Sequence, residues 1–561
     1  MNVTVKAGKR TKVTEHAGVF LHANQKGAFA IFGNQQSRYE GVFFKTNQFY
    51  KIIESIDIGQ ITSATNALAT VTRNNVTTWM PDASNALVLE QDTASQITLT
   101  LDAKALFDNR QWGRSFVMSV EHRCLVFTCL KRNDSRDGLK DASEYTLYLA
   151  IFGEQLGYQP VEQWTERFYA ADNARKSWPW SRGVFTAAKL RCKDVVFAFG
   201  TDKHIAIETA INVYAKRKQL RKAKEDRIAK LIKGCSVEEA CAFAAIDALR
   251  IPEGFRAGLP WFVDVWSRDE LVATKALLLQ KDYATVKLLL WKHLEALNGC
   301  TLLSKPNGII AADVPGWLFL RIAELLATLE KERKLKTYVS SKDVAFVEQK
   351  LRACLDLSFK DNCKNGLIFN NAKETWMDSL AREGARIEIQ AMTLAMLKLL
   401  SALTGKQDFR EIQLKLATRR DFLKHNTLID GKEDPILRPN LFLAVYFYPA
   451  LLTKQEWTHA IDKALDALWL EWGGLATIDT KQSAYQPTST GESAASYHNG
   501  DSWFWLNNIA AIAMHMIDKK KYKKQIDKIK QASLAEMFEL GISGHAGELS
   551  SAAHLSSVGC A

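Results

Sequence analysis

Across residues 1–200, short runs of β-branched and aromatic residues recur between turn-forming breaks. AFAIFG (28–33), EGVFFKT (40–46), ASQITLTLDA (94–103), CLVFTCLKR (124–132), YTLYLAIFG (145–153) and DVVFAFG (194–200) have the length and composition of strands, and NDSRDG (133–138) reads as a turn. Many short strands separated this way predict an antiparallel β-sandwich over 1–202. Near residue 203 the period becomes helical. Ile205, Ile207, Ala210, Ile211, Val213 and Tyr214 are followed by a charged run ending in Leu231 and Ile232, which predicts a connecting helix over 203–233. From 234 to 561 the pattern predicts eleven helices, at 237–249, 268–280, 283–297, 316–332, 341–356, 387–404, 407–422, 440–450, 454–470, 501–517 and 519–537. No fixed-period repeat is visible, so a solenoid of equivalent repeats is disfavoured. Helix pairs closed into a toroid explain the count and place a site where loops meet at one end.

At 561 residues the chain exceeds one ordinary hydrophobic core, in keeping with this multidomain division. The net charge of +12 raises nucleic acid or an acidic surface as a partner. Its distribution argues otherwise: KRKQLRKAKEDRIAKLIK (216–233) and KKKYKKQIDKIK (519–530) intersperse acids and apolar residues, as solvated helix faces do. Nine cysteines form no C-x-x-C pair, and the eleven histidines lack metal-ligand spacing. Reduced thiols, a cytoplasmic location, no metal and no cofactor are the expectation. The N-terminal MNVTVKAGKRTKV has no apolar signal core. No apolar run reads as a membrane span of about 18–20 residues, so no membrane partner is expected.

Three stretches carry candidate chemistry. In AGLPWFVDVWSRDE (257–270), two tryptophans stand beside Arg268 and Asp269. Flat apolar faces with a fixed cation and anion suit a sugar; a helix cap or local ion pair is the competing account. In ETWMD (374–378), Trp376 neighbours Asp378, and an apolar neighbour favours the protonated acid that general acid catalysis needs. A helix-capping aspartate is again the alternative. YHNGDSWFW (497–505) precedes GHAGE (544–548), whose glycines put Glu548 in a loop, where a carboxylate can deprotonate water. Two carboxylates about 6.5–9.5 Å apart would define an inverting glycoside hydrolase.

These stretches resemble the glycogen debranching enzymes, in their amylo-α-1,6-glucosidase domain. AGLPWFVDVWSRDE is similar to that family's "G-x-P-W-F-x-x-W-G-R-D". ETWMDS with GARIEIQAMTLAMLKLL resembles "T-W-M-D" and "G-x-x-V-E-I-(N/Q)-A-L", and YHNGDSWFW resembles "Y-H-N-G-x-x-W-P-W". GELSSAAHLSSVGCA looks like the closing "E-I-(…)-G-C-x-A-Q", and NQKGAFAIFGNQQSRYEGVFF (24–44) like the opening "N-G-x-G-G-(…)-R-Y-H-G-L". The resemblance implies an N-terminal β-sandwich and an all-α (α/α)6 toroid related to glucoamylase. It also implies inverting hydrolysis of α-1,6-linked glucose at branch points of glycogen-like glucan. By position, Asp378 is then the general acid and Glu548 the general base. Arg268 and Asp269 grip glucose hydroxyls, Trp266 and Trp376 border the pocket, Glu388, His498 and Trp503 line it, and Asp313 binds sugar. Nothing supplies a transferase barrel, so a separate glucanotransferase is expected upstream.

The chain departs from the family pattern at Ser267 (for Gly), at Val263 and at Glu40 (for His). A further departure is a short passage from Asn307 through Ile310 to Asp313. Gly559-Cys560-Ala561 falls where the family continues into a final helix, so a toroid lacking its last helix is expected, either completed by a separate polypeptide or cut as a fragment. A glucoamylase-like exo-hydrolase of α-1,4 or mixed oligosaccharides remains open, because fold does not settle linkage. So does a non-catalytic glucan-binding protein.

Overall fold

Two strands of twenty residues, Ala86–Ala105 and Ser181–Gly200, run through the N-terminal region and pair antiparallel. Their register shifts after Glu90 and after Leu99, and such bulges bend and twist a strand. Each therefore exchanges neighbours along its length. Ala86–Ala105 takes Val76–Trp79 on its first half and Phe49–Asp57 on its second. Ser181–Gly200 takes Gly157–Phe168 and then Tyr145–Phe152. The outcome is one branched fifteen-stranded sheet rather than the two separate sheets of a simple sandwich. Its pairing is not wholly antiparallel, because Asn2–Val5 runs parallel to Ser63–Asn66. Phe44, Tyr50, Leu99, Leu149 and Phe197 fill the space between its arms.

The computed structural model describes residues 1–138, 142–305 and 308–560; Asn307 of the short passage and Ala561 of the closing segment lie outside them. Helix α1 (Ala170–Ala174) is a single turn within the sheet region. Helix α2 (Lys203–Leu231) is capped by Asp202, which accepts from the Ile205 N–H, and lays Ala206, Ala210 and Val213 on the outer face of the sheet. There follow α3 (Val237–Ala248), α4 (Ser267–Leu279), α5 (Tyr283–Ala296), α6 (Val314–Lys331), the short α7 (Leu335–Tyr338) and α8 (Ser341–Asp361). The rest are α9 (Ile387–Thr404), α10 (Phe409–Phe422), α11 (Asn440–Phe447), α12 (Lys454–Leu468), α13 (Phe504–Asp518) and α14 (Lys523–Ala535). Local sequence sets several ends. Capping boxes at Ser236/Glu239, Ser340/Asp343 and Thr453/Glu456 start α3, α8 and α12, and Gly405, in the left-handed region, stops α9.

Helix α4 packs on α6, α6 on α9, α9 on α11 and α11 on α13, while α5, α8, α10, α12 and α14 pack against that row. The chain thus alternates between two layers. The row's helices begin just after Trp266, Asp313, Arg386, Pro439 and Trp503, and contacts among these starts gather them at one end. Helix α9 corrects the reading of apolar runs. Its 18 residues have the length and hydropathy of a span, but 61% of it is buried inside the protein, among α6, α8, α10 and α11.

Among the described residues no comparable seam joins α13 to α4. On α13, Ile512 and Met516 are each 46% exposed, and Leu279 at the end of α4 is more so. Because these side chains face water, Ile512→Lys with Met516→Glu in the isolated chain should change stability by no more than about 0.5 kcal/mol per site. Thermal denaturation measures this, and a much larger loss would mean the face is covered.

Candidate active site

The loops ahead of α4, α9 and α13 each deliver one part of a single cavity. Ahead of α4, strands Gly254–Gly258 and Phe262–Val265 form a hairpin. Trp261 at its turn packs against Tyr39 of the sheet region, with ring centroids 5.1 Å apart, and the Arg175 guanidinium lies 4.0 Å over its ring. Val263 is buried in the same cluster. The departure there adds bulk to the contact between the regions, not to the sugar-sized cavity. The N-cap position of α4 is held by Trp266 without a side-chain bond, so Asp269, in the first turn, is not the N-cap residue. Arg268 forms a two-pronged pair with Asp313, at 2.7 and 3.0 Å. Burial pushes the Asp269 carboxyl up to about 6, with the charges of Asp313 and Asp378 adding to the effect against the pull of Arg268.

Asp378 sits in a turn well ahead of α9, whose first residue follows Arg386, so it caps no helix either. Its loop is pinned on both sides. The Trp376 indole donates to Asn440 Oδ1 at 2.7 Å, and the Arg382 guanidinium donates to Thr375, Glu388 and Asp430. Asn440 closes the circuit by donating to Asp430 Oδ1 at 2.7 Å. Immediately after Asp378, Ser379 Oγ lies 2.6 Å from His498 Nδ1.

Glu548 enters from the far end of the chain. Ser502–Trp503 pairs with Leu549–Ser550, which sets Glu548 beside Tyr497. The Tyr497 hydroxyl donates to Glu548 Oε1 at 2.6 Å and the Cys560 N–H donates to Oε2 at 3.2 Å. Burial nevertheless pushes the Glu548 carboxyl up to about 7. Gly559 is needed here, since a Cβ at that position would lie 2.2 Å from the carboxylate.

The cavity so formed has a volume of about 550 Å³, a size suited to a small ligand. Asp378, Glu548, Arg268, Asp269, Trp266, Trp376 and Trp503 all line it. Three predicted site residues do not. Asp313 is fully buried behind Arg268 and positions that guanidinium. Glu388 is fully buried against Arg382. His498 is buried with its ring stacked on Trp503 at 5.2 Å, and burial keeps it neutral by pulling its pKa well down. Asp313 and Glu388 belong to the scaffold behind the wall, because their carboxylates are turned to arginine partners, whereas His498 meets Ser379 through Nδ1 and leaves its buried Nε2 without a hydrogen-bond partner. Conversely, Tyr497 and Trp505 line the cavity without having been singled out. Both lie within YHNGDSWFW, but only a fold can say which of its rings face inward. On the α3 side the wall is apolar, with Ile246, Leu249 and Val272.

A family model described as amylo-alpha-1,6-glucosidase matches residues 248–553, more than half the chain. The chain belongs to the amylo-α-1,6-glucosidase family. It is accordingly a glycoside hydrolase, and the matched span holds the cavity's hairpin and both carboxylates. No curated protein matches the sequence. Among solved structures, a bacterial glucoamylase complexed with acarbose is similar at a TM-score of 0.63 and 11% identity, covering 100% of this chain and 92% of that one. That likeness shows a glucoamylase-like fold, with a large β-sheet region followed by a helical region. A GH63 mannosylglycerate hydrolase from Thermus thermophilus, in complex with Tris, matches at a TM-score of 0.43 and 11% identity, covering 58% of this chain and 96% of that one.

The Tyr497 hydroxyl stabilises the charged form of Glu548, so Tyr497→Phe should move that carboxyl's pKa above its present value of about 7. Difference infrared spectroscopy of the carboxyl band during a pH titration reads this, and an unchanged or lower value would refute the assigned contact.

Proposed function

We propose that this member of the family hydrolyses α-1,6-linked glucose at branch points of a glycogen-like glucan, with inversion. The observation that carries the reading is that Asp378 and Glu548 open into one cavity walled by Trp266, Trp376 and Trp503. In this reading the aromatic walls take the apolar faces of the terminal glucose, and Arg268 and Asp269 hold its hydroxyls. Asp378 gives its proton to the glycosidic oxygen as the bond from C1 breaks. Glu548 takes a proton from the water whose oxygen bonds to C1 from the opposite face. A carboxylate with a pKa of about 7 is a stronger base than an ordinary glutamate, which supports this division of roles. The substrate is cytoplasmic glucan whose branch has already been shortened by a separate glucanotransferase.

The helical region is, in the same proposal, an (α/α)6 ring with one inner position open between α13 and α4. Its occupant is a further helix, supplied by a separate polypeptide or by chain beyond residue 561. The alternation of layers and the bare apolar flanks of α13 support this. Size-exclusion chromatography of the complex would follow its binding, which Ile512→Lys with Met516→Glu should abolish.

Asp378→Asn and Glu548→Gln should each lower the hydrolysis rate by about 10²–10⁴-fold, and unchanged rates would remove both assignments. Since Glu548 must be ionised to accept a proton, kcat/KM should fall as pH drops below about 7. Panose and branched limit dextrin should be cleaved in preference to maltotriose. The reverse preference would mark an exo-hydrolase of α-1,4 linkages, and tight glucan binding without turnover would mark a binding protein.

A further inference from the structure

Two cavities larger than the catalytic one lie on the sheet region, of about 920 and 830 Å³. They share Gln111, Trp112, Arg136 and Trp178 as lining, so they form one groove. Trp178 is 60% exposed and Trp112 48%, and Trp164 and Trp180 are also exposed. Four open indoles along one groove are a costly feature for a soluble surface unless something covers them. Trp112, Trp178 and Trp180 are not part of the inter-arm core, and Trp164 touches it only at Phe116 and Phe185.

The chemistry of the groove selects its occupant. Its cations are already matched: Arg110 by Asp108, Arg114 and Arg182 by Asp102, Arg136 by Asp134, and Lys45 by Glu253. Asp137 pairs in turn with Lys131. A polyanion therefore finds no unmatched cation among the described lining residues, although stacking alone would suit its bases. Flat aromatic faces with amide groups such as Gln111 and Asn47 at the edges instead suit a neutral, hydroxyl-rich chain. The groove and the catalytic cavity lie against one strand, Phe262–Val265. Phe262 lines the cavity, while Val263 and Asp264 line the groove.

We propose that this tryptophan groove is an accessory binding site for an α-glucan chain, which holds a polymeric substrate while one of its ends occupies the catalytic cavity. The identity of the polymer rests on the function proposed above. The indoles stack on successive glucose units, and the shared hairpin sets the direction in which the chain leaves the cavity. Small substrates that fill only the cavity do not reach it.

The test uses the full chain with Trp112→Ala and Trp178→Ala combined; both side chains are exposed, and circular dichroism confirms the fold. Affinity electrophoresis in glycogen-containing gels should show binding weakened at least tenfold, while kcat/KM for panose stays within twofold of wild type. A second variant, Trp164→Ala, should weaken glycogen binding by a smaller factor. Unchanged glycogen affinity in the double variant overturns the proposal. So does a loss of self-association on gel filtration without a loss of glycogen affinity, which would make the groove a protein interface, or tight salt-dependent binding of single-stranded DNA that the substitutions abolish. Because the binding assay needs no turnover, a wild type that binds glycogen through these tryptophans but fails to cleave panose would refute the catalytic reading alone.

Discussion

A buried guanidinium, that of Arg382, is the constraint on which the catalytic end of the helical region depends. It reaches Thr375, Glu388 and Asp430 at once, and Asp430 also receives Arg386 and the Asn440 amide. Burial alone would raise the Asp430 pKa, but Arg382 and the neighbouring Arg438 and Arg386 hold it below the usual aspartate value. Such a network stabilises little on balance, since two-sided desolvation offsets most of its attraction. What it supplies is position. Through Thr375 on one side and the Asn440–Trp376 bond on the other, it fixes the loop that carries Asp378.

The carboxylates within the cavity live under the opposite rule. Among the described residues no guanidinium is clamped on Asp269 or Glu548, and burial raises both, to about 6 and about 7. Arg268, the cation nearest Asp269, is held in a two-pronged pair by Asp313. Asp430 is thus held ionised by its arginines, whereas burial leaves Asp269 and Glu548 able to carry a proton. That separation is what acid–base chemistry near neutral pH requires.

The sheet region is part of this site. Tyr39 and Arg175 grip Trp261 of the hairpin, whose Val263 is buried in the same cluster, and the hairpin's Arg256 side chain bonds the Gly27 carbonyl. Glu40, at a departure from the family pattern, accepts three backbone N–H bonds from Gln35, Gln36 and Ser37 and so shapes the loop beside Tyr39.

The sequence alone determined the change from strand to helix near residue 203, the positions of the eleven main helices, and the pair Asp378 and Glu548. The first two are local patterns that periodicity and capping boxes encode within a few turns of chain, and the two carboxylates were legible as members of motifs that resemble the family's. The tertiary structure decided the rest. It joined the strands into one branched sheet through bulges in two long strands, because register is set between strands and not along one. It turned Asp313, Glu388 and His498 away from the cavity and brought Tyr497 into it, because adjacent residues in a loop differ in facing only once partners such as Arg268, Arg382 and Trp503 are in place. It also brought the Trp261–Asp269 stretch, first legible as a sugar-like cluster or a helix cap, to its double use: Arg268 and Asp269 face the cavity, and Trp261 anchors the hairpin to the sheet.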